Sequence, residues 1–141
     1  MKLKTFETEN PRNWNIKTDT RTMSANRKGG FFSFNTKTIQ DFNLKLGDRV
    51  VIAQDEDSRN DWYVRFVEAG DETGSKLRVN RENKGKRIYG MRTNNLAAST
   101  AILDSVRATY SATFIIATTP TKMADGTIWY RVLTANPIMT R

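Results

Sequence analysis

Apolar residues occur in this chain in short packets, none longer than four in a row, as in Phe114 to Ala117, and most packets end near Gly, Asn or Asp. Runs of that length, rich in aromatic and β-branched residues, suit strands better than helices. The pattern predicts seven strands: Phe31 to Phe34, Arg49 to Ala53, Trp62 to Val67, Leu77 to Val79, Ile88 to Met91, Thr113 to Ala117 and Ile128 to Leu133. Leu3 to Thr8 and Trp14 to Thr18 are candidates for further strands, and Pro11 between them favours an edge position.

Two helices interrupt this series. Asn94 to Val106 carries Leu96, Leu103 and Val106 with Thr100 at helical spacing, and Thr93 or Asn94 can cap it. A shorter helix is predicted over Thr36 to Phe42, with Ile39 and Phe42 on one face and Asn35 or Thr36 as the cap. Leu46-Gly47-Asp48 then turns the chain into the next strand.

A strand, a helix and two more strands, the last with a Trp-Tyr pair, occur twice. The first copy runs from FFSFN through TKTIQDF and VVIA to Trp62-Tyr63, the second from RIYGMR through NLAASTAILDSV and FIIA to Trp129-Tyr130. The expected fold is α+β, a mostly antiparallel sheet of seven to nine strands with one long and one short helix, in which the two copies complete one core. All 141 residues are read as one domain: a polar basic segment over 1–27, a first repeat over 28–67 and a second over 86–133.

Residue types limit the chemistry. The chain has no Cys and no His, which removes a conventional zinc site, a thiolate nucleophile, a Ser-His-Asp triad and a histidine general base. Asp55, Asp57 and Asp61 in QDEDSRND resemble a calcium loop in spacing, but Arg59 and Asn60 stand where an acceptor and a glycine belong, so an acidic hairpin turn is expected. Neither Asp104 nor Glu68 to Glu72 forms the carboxylate pair with lysine that two-magnesium chemistry needs, and Gly29-Gly30 is no phosphate loop. The expectation is a protein without catalysis, cofactor, metal or small-molecule substrate. The first fifteen residues carry no signal-peptide pattern and no run approaches a membrane span of about 20 apolar residues, so a soluble, cytoplasmic protein is expected.

Charge is unevenly spread. Residues 1–40 hold eight basic and three acidic side chains, 41–72 four and nine, and 73–141 eleven and three, for a net +8. The densest positive stretch contains Lys76, Arg78, Arg81, Lys84, Lys86, Arg87 and Arg92 against Glu82 alone. Leu77 and Val79 alternate with Lys76 and Arg78, so the cations should share one face of a strand while the apolar residues enter the core. Such a face can displace the counterions condensed on a nucleic-acid strand. The competing reading is a solvated, lysine-rich sheet edge that discourages aggregation. Tyr63 and Arg65 share a face opposite Trp62, Val64 and Phe66, which predicts Trp62 in the core and Tyr63 and Arg65 as contacts. Tyr89 beside Arg87, and Trp14, are further candidates for stacking on unpaired bases.

The order RVVIAQ, DWYVRFV, KLRVN and RIYGMR followed by NLAASTAILDSV resembles the single-stranded-DNA-binding superfamily of the Whirly proteins and the coactivator called positive cofactor four. The resemblance implies a curved antiparallel sheet backed by a helix, with basic and aromatic side chains on the sheet, binding unpaired DNA as a dimer or larger assembly. It covers about half the chain and rests on element order, the basic third and fourth strands and the junction MRTNN. GGFFSFNTKTIQDFNLKLGDRVVI is similar to the AbrB-type swapped-hairpin regulators, which implies a dimer on duplex DNA; the Pro expected after the first strand is absent. The leading expectation is a non-catalytic binder of single-stranded DNA or RNA with low sequence specificity, acting in replication or transcription. Rival expectations are a virion or scaffold component and the AbrB-type regulator.

Overall fold

β-Strands dominate the computed structural model, which describes residues 20–70, 73–79, 90–135 and 137–141. In chain order the elements are β1 (Thr22–Asn26), β2 (Phe31–Asn35), α1 (Thr36–Asp41), β3 (Arg49–Gln54), β4 (Trp62–Val67), β5 (Ser75–Lys76), β6 (Arg78–Val79), β7 (Gly90–Asn94), α2 (Leu96–Ser105), β8 (Ser111–Lys122), β9 (Ile128–Leu133) and β10 (Met139–Thr140). The fold is the α+β, mostly antiparallel arrangement that the apolar pattern predicts.

All ladders are antiparallel, in the spatial order β5-β3-β4-β9-β8-β1-β2-β7-β6, with β10 added beside β8. The two ends of that path are one stretch of chain. β5 pairs with β3 and β6 pairs with β7, and only Leu77 separates β5 from β6. The segment 75–79 therefore closes the sheet into a nearly complete barrel of eight strands. Leu77 fixes the join: its amide donates to Asp48 O (2.8 Å), its carbonyl accepts from Gly47 N (3.2 Å), and its side chain is buried.

The barrel is built from two like halves: β1-β2-α1-β3-β4, and the segment 75–79 followed by β7-α2-β8-β9. β2 pairs with β7 and β4 with β9, while the first strand of each half lies beside the third strand of the other. The helices start and end alike. Asn35 accepts the Thr38 amide and Asn95 the Ala98 amide, each at 3.1 Å. Past the last turn stand Asn43 (φ 50°) and Arg107 (φ 59°), followed by Leu44 N donating to Ile39 O and Ala108 N to Leu103 O, both at 2.9 Å. This is the left-handed helix ending with its bond back across the final turn.

Asn35 does more than cap. Its Oδ1 also accepts the Thr22 amide (3.1 Å) and its Nδ2 donates to Thr20 O (2.6 Å), tying α1 to the start of β1. Asn95→Ala is expected to cost about 1 kcal/mol, an ordinary cap, and Asn35→Ala about 2 kcal/mol or more, because the amide and the hydroxyl of the buried Thr38 both donate to Asn35 Oδ1. Urea denaturation of the two variants checks the ordering.

Register puts one face of every strand inside. Met23 faces Phe34 and Phe114, Ala25 faces Phe32 and Ala112, Val64 faces Ile52 and Tyr130, and Trp62 faces Val132. Of these, all but the half-buried Ile52 and Tyr130 are buried. Burying a large apolar side chain contributes about 1.5–3 kcal/mol, so this interior is the main source of stability. Arg21 clamps one end: its guanidinium lies 4.7 Å from the Phe42 ring centre and 5.2 Å from that of Tyr130, and it donates to Ala117 O (2.6 Å).

Several expectations need correction. β1 has no counterpart among the seven predicted strands, although it sits between β2 and β8. Among the described residues β7 is Gly90–Asn94, so the predicted strand Ile88 to Met91 ends too early and the predicted cap Asn94 is the strand's last residue, while Ile88 and Tyr89 lie outside the described residues. β8 runs past Ala117 to Lys122, through Pro120. In α2 the buried face is Ala98, Ser99, Ile102 and Leu103, whereas Leu96 is 62% exposed. The small Ala98 and Ser99 let the helix lie close to β1, where Ser99 Oγ donates to Asn26 O at 2.5 Å. The two Trp-Tyr pairs are not equivalent, since Trp62 and Tyr130 face inward: aligning them by name is off by one residue, and one residue reverses the face of a strand. The predicted strands at Leu3 to Thr8 and Trp14 to Thr18 lie outside the described residues.

Candidate nucleic-acid interface

Alternation along β4 sends Trp62 and Val64 inward and leaves Tyr63 and Arg65 half-exposed on the outer surface. On the closing segment the same alternation leaves Lys76 and Arg78 exposed on either side of buried Leu77. Arg92 projects from the outer face of β7, and its guanidinium lies over the Phe31 ring at 5.6 Å from the centre. Tyr63, Arg65, Lys76, Arg78 and Arg92 thus belong to the outer face of consecutive neighbours in the ring, β4, β3, the segment 75–79 and β7. The other proposed contacts, Arg81, Lys84, Lys86, Arg87 and Tyr89, lie outside the described residues, as does Trp14.

Register adds a residue that sequence order hides. Arg49 on β3 stands directly opposite Lys76, and Arg78 stands directly opposite Arg92. Like charges in facing positions of an antiparallel ladder are destabilising. Here two such pairs adjoin. Arg49 is partly occupied by a bond from Nη1 to Gly74 O (2.9 Å), and Arg78 donates to Asn94 Oδ1, which in turn is fixed by Asn94 Nδ2 donating to Gly29 O (3.1 Å). Among the described residues no carboxylate lies within 4.0 Å of Arg49, Lys76, Arg78 or Arg92, and Arg92 Nε has no hydrogen-bond partner. Arg49, Arg78 and Arg92 are therefore oriented by neutral acceptors and an aromatic ring, and no carboxylate among the described residues offsets their charge or that of Lys76. Lys76→Gln is expected to raise stability by a few tenths of a kcal/mol at low salt, with the gain vanishing at 1 M salt where the Debye length is about 3 Å. Thermal melts at the two salt concentrations check this.

The acidic run behaves as a turn. Asp55 N donates to Asp61 O (2.8 Å), Asp57 N to Asp55 Oδ1 (2.9 Å), and Arg131 Nη2 to Asp61 Oδ1 (2.6 Å). Arg131 is thereby neutralised beside Tyr63, its ladder partner. Sequence reasoning missed Arg49 and Phe31 because neither lies in the basic stretch; only strand pairing brings them there. α2 packs against β1 and β2. No helix among the described residues is long and apolar enough to cross a membrane. Compared with protein-family models, curated proteins and solved structures, the chain matches none.

Proposed function

We propose that this protein binds single-stranded nucleic acid through the outer face of β4, β3, the segment 75–79 and β7, without catalysis and with low sequence specificity. The observation that carries the reading is the pair of like-charged cross-strand contacts, Arg49 with Lys76 and Arg78 with Arg92, held without a carboxylate partner among the described residues. An arrangement that is unfavourable in the free protein becomes favourable when phosphates lie between the cations. Arg65 extends the track, Tyr63 offers a ring for base stacking, and Arg81, Lys84, Lys86, Arg87 and Tyr89 are assigned to the same surface from their place in the sequence.

The test is a fluorescence-anisotropy titration with a random-sequence oligonucleotide over a range of salt. With about six phosphates neutralised, log affinity should fall with log salt at a slope of about −4. A slope near zero sinks the reading. Competition between single-stranded and duplex DNA of equal length separates it from an AbrB-type regulator, which would prefer duplex with a defined site. Every long strand of the barrel has ladder partners on both sides over part of its length, which weighs against assembly through strand edges there.

A further inference from the structure

The ladder between β4 and β9 covers only Trp62 to Val64 against Val132 to Tyr130. Beyond that point the two strands part. β4 continues through Arg65 and Phe66 with β3 as its ladder partner, while β9 turns back to Trp129 and Ile128 against the distal part of β8. The cause lies in β8: between the pairs Ile116 with Val132 and Pro120 with Tyr130, three residues of β8 face Arg131 alone, and this bulge swings the outer hairpin away from the barrel. A cleft of about 540 Å³ opens in the gap.

Aromatic rings form much of its lining. Phe42 packs on Phe66 at 4.7 Å between centres and edge-on to Tyr130 at 4.6 Å, and all three remain partly exposed. Ile128, 50% exposed, and the tip residue Asp125 form the hairpin side, and Arg65 stands on the β4 side. Asp125 is fixed by accepting the Thr127 hydroxyl (2.6 Å) and amide (2.9 Å). Those bonds hold its carboxyl below the usual carboxylate range, burial opposes them slightly, and the charge of Arg65 across the cleft adds to the lowering.

We infer that this cleft receives one unstacked base of the bound strand, with Arg65 holding the adjoining phosphate. The inference rests on the proposed nucleic-acid reading and assigns to it a position where a base leaves the outer surface. A planar apolar face fits between partly exposed rings and Ile128, and its polar edge meets the strand backbone where the ladder has ended. Arg65 belongs to both the cleft and the cationic track, so the phosphate line and the base position are continuous.

The experiment compares the protein's affinity for a twelve-nucleotide oligothymidylate with that for an abasic phosphodiester of the same length. The abasic strand should bind about tenfold more weakly at an unchanged salt slope. Tyr130→Leu should remove most of that difference, and Ile128→Ser, at an exposed position, should reduce it about threefold without touching the core. Photo-crosslinking of a strand carrying 5-iodouracil should place adducts on Tyr130 or Phe42. Equal affinity for both strands, or adducts on Tyr63 alone, overturns the base site while the phosphate track stands. Absence of binding to either strand overturns both.

Discussion

A Gly30→Ala protein is expected to lose about 3 kcal/mol or more of stability, roughly a 10 °C fall in melting temperature for a domain of this size. Gly30 has φ +60°, and a Cβ built on it would lie 2.6 Å from Leu96 Cα and 2.8 Å from Leu96 Cβ. Backbone cannot yield as a flexible side chain can. The same residue accepts the Asn95 amide at 2.8 Å, so the turn between β1 and β2 is fastened to the start of α2 at that point. Gly126→Ala is the control: its φ is +89° with nothing within 4 Å, leaving conformational strain alone, about 1 kcal/mol. Urea midpoints for the two variants decide the matter. If both lose the same stability, close approach to Leu96 is not what requires glycine at position 30.

The second large effect concerns binding. Replacing Arg49, Lys76, Arg78 and Arg92 together by Gln should weaken oligonucleotide affinity by about two to three orders of magnitude at 0.1 M salt and flatten the salt slope by about 3. The loss should be the same for every sequence, as expected of phosphate contacts. The fold should persist, because these side chains are at least partly exposed and two facing like-charge pairs disappear with them. Anisotropy and circular dichroism on the same samples separate lost binding from lost structure. A variant that keeps its affinity would place the interface elsewhere.

What could be read from the residues alone divides along physical lines. Strands whose apolar residues alternate with polar ones, such as β2 and β4, announce both their type and their inward face; Trp62 and Tyr63 were separable for that reason. β1 was illegible because TMSAN has only Met23 and Ala25 to bury, and its strand character comes from β2 and β8 on its two sides. On α2 the spacing places Leu103 and Val106 correctly against the core, but Leu96, which looks like a core residue, is exposed, and close packing on β1 requires the small Ala98 and Ser99 instead. Pro120 hid the length of β8, yet it lies just past a bulge, where a proline is tolerated. The interface divides similarly. The alternation of Lys76 and Arg78 about Leu77 is local and was visible; Arg49 opposite Lys76 is a fact of register, and the cleft between β4 and β9 depends on where a ladder stops.

The interleaving of the halves has a consequence for how such a chain could arise. Each half lends its opening strand to the flank of the other and meets its counterpart at two further ladders, β2 with β7 and β4 with β9. A polypeptide equal to one half would leave its hydrophobic concavity gaping and could seal it only by embracing a twin. Fusion of two such twins end to end would turn a concentration-dependent partnership into a permanent one, and would free each copy to diverge, one growing the longer helix and the bent outer hairpin.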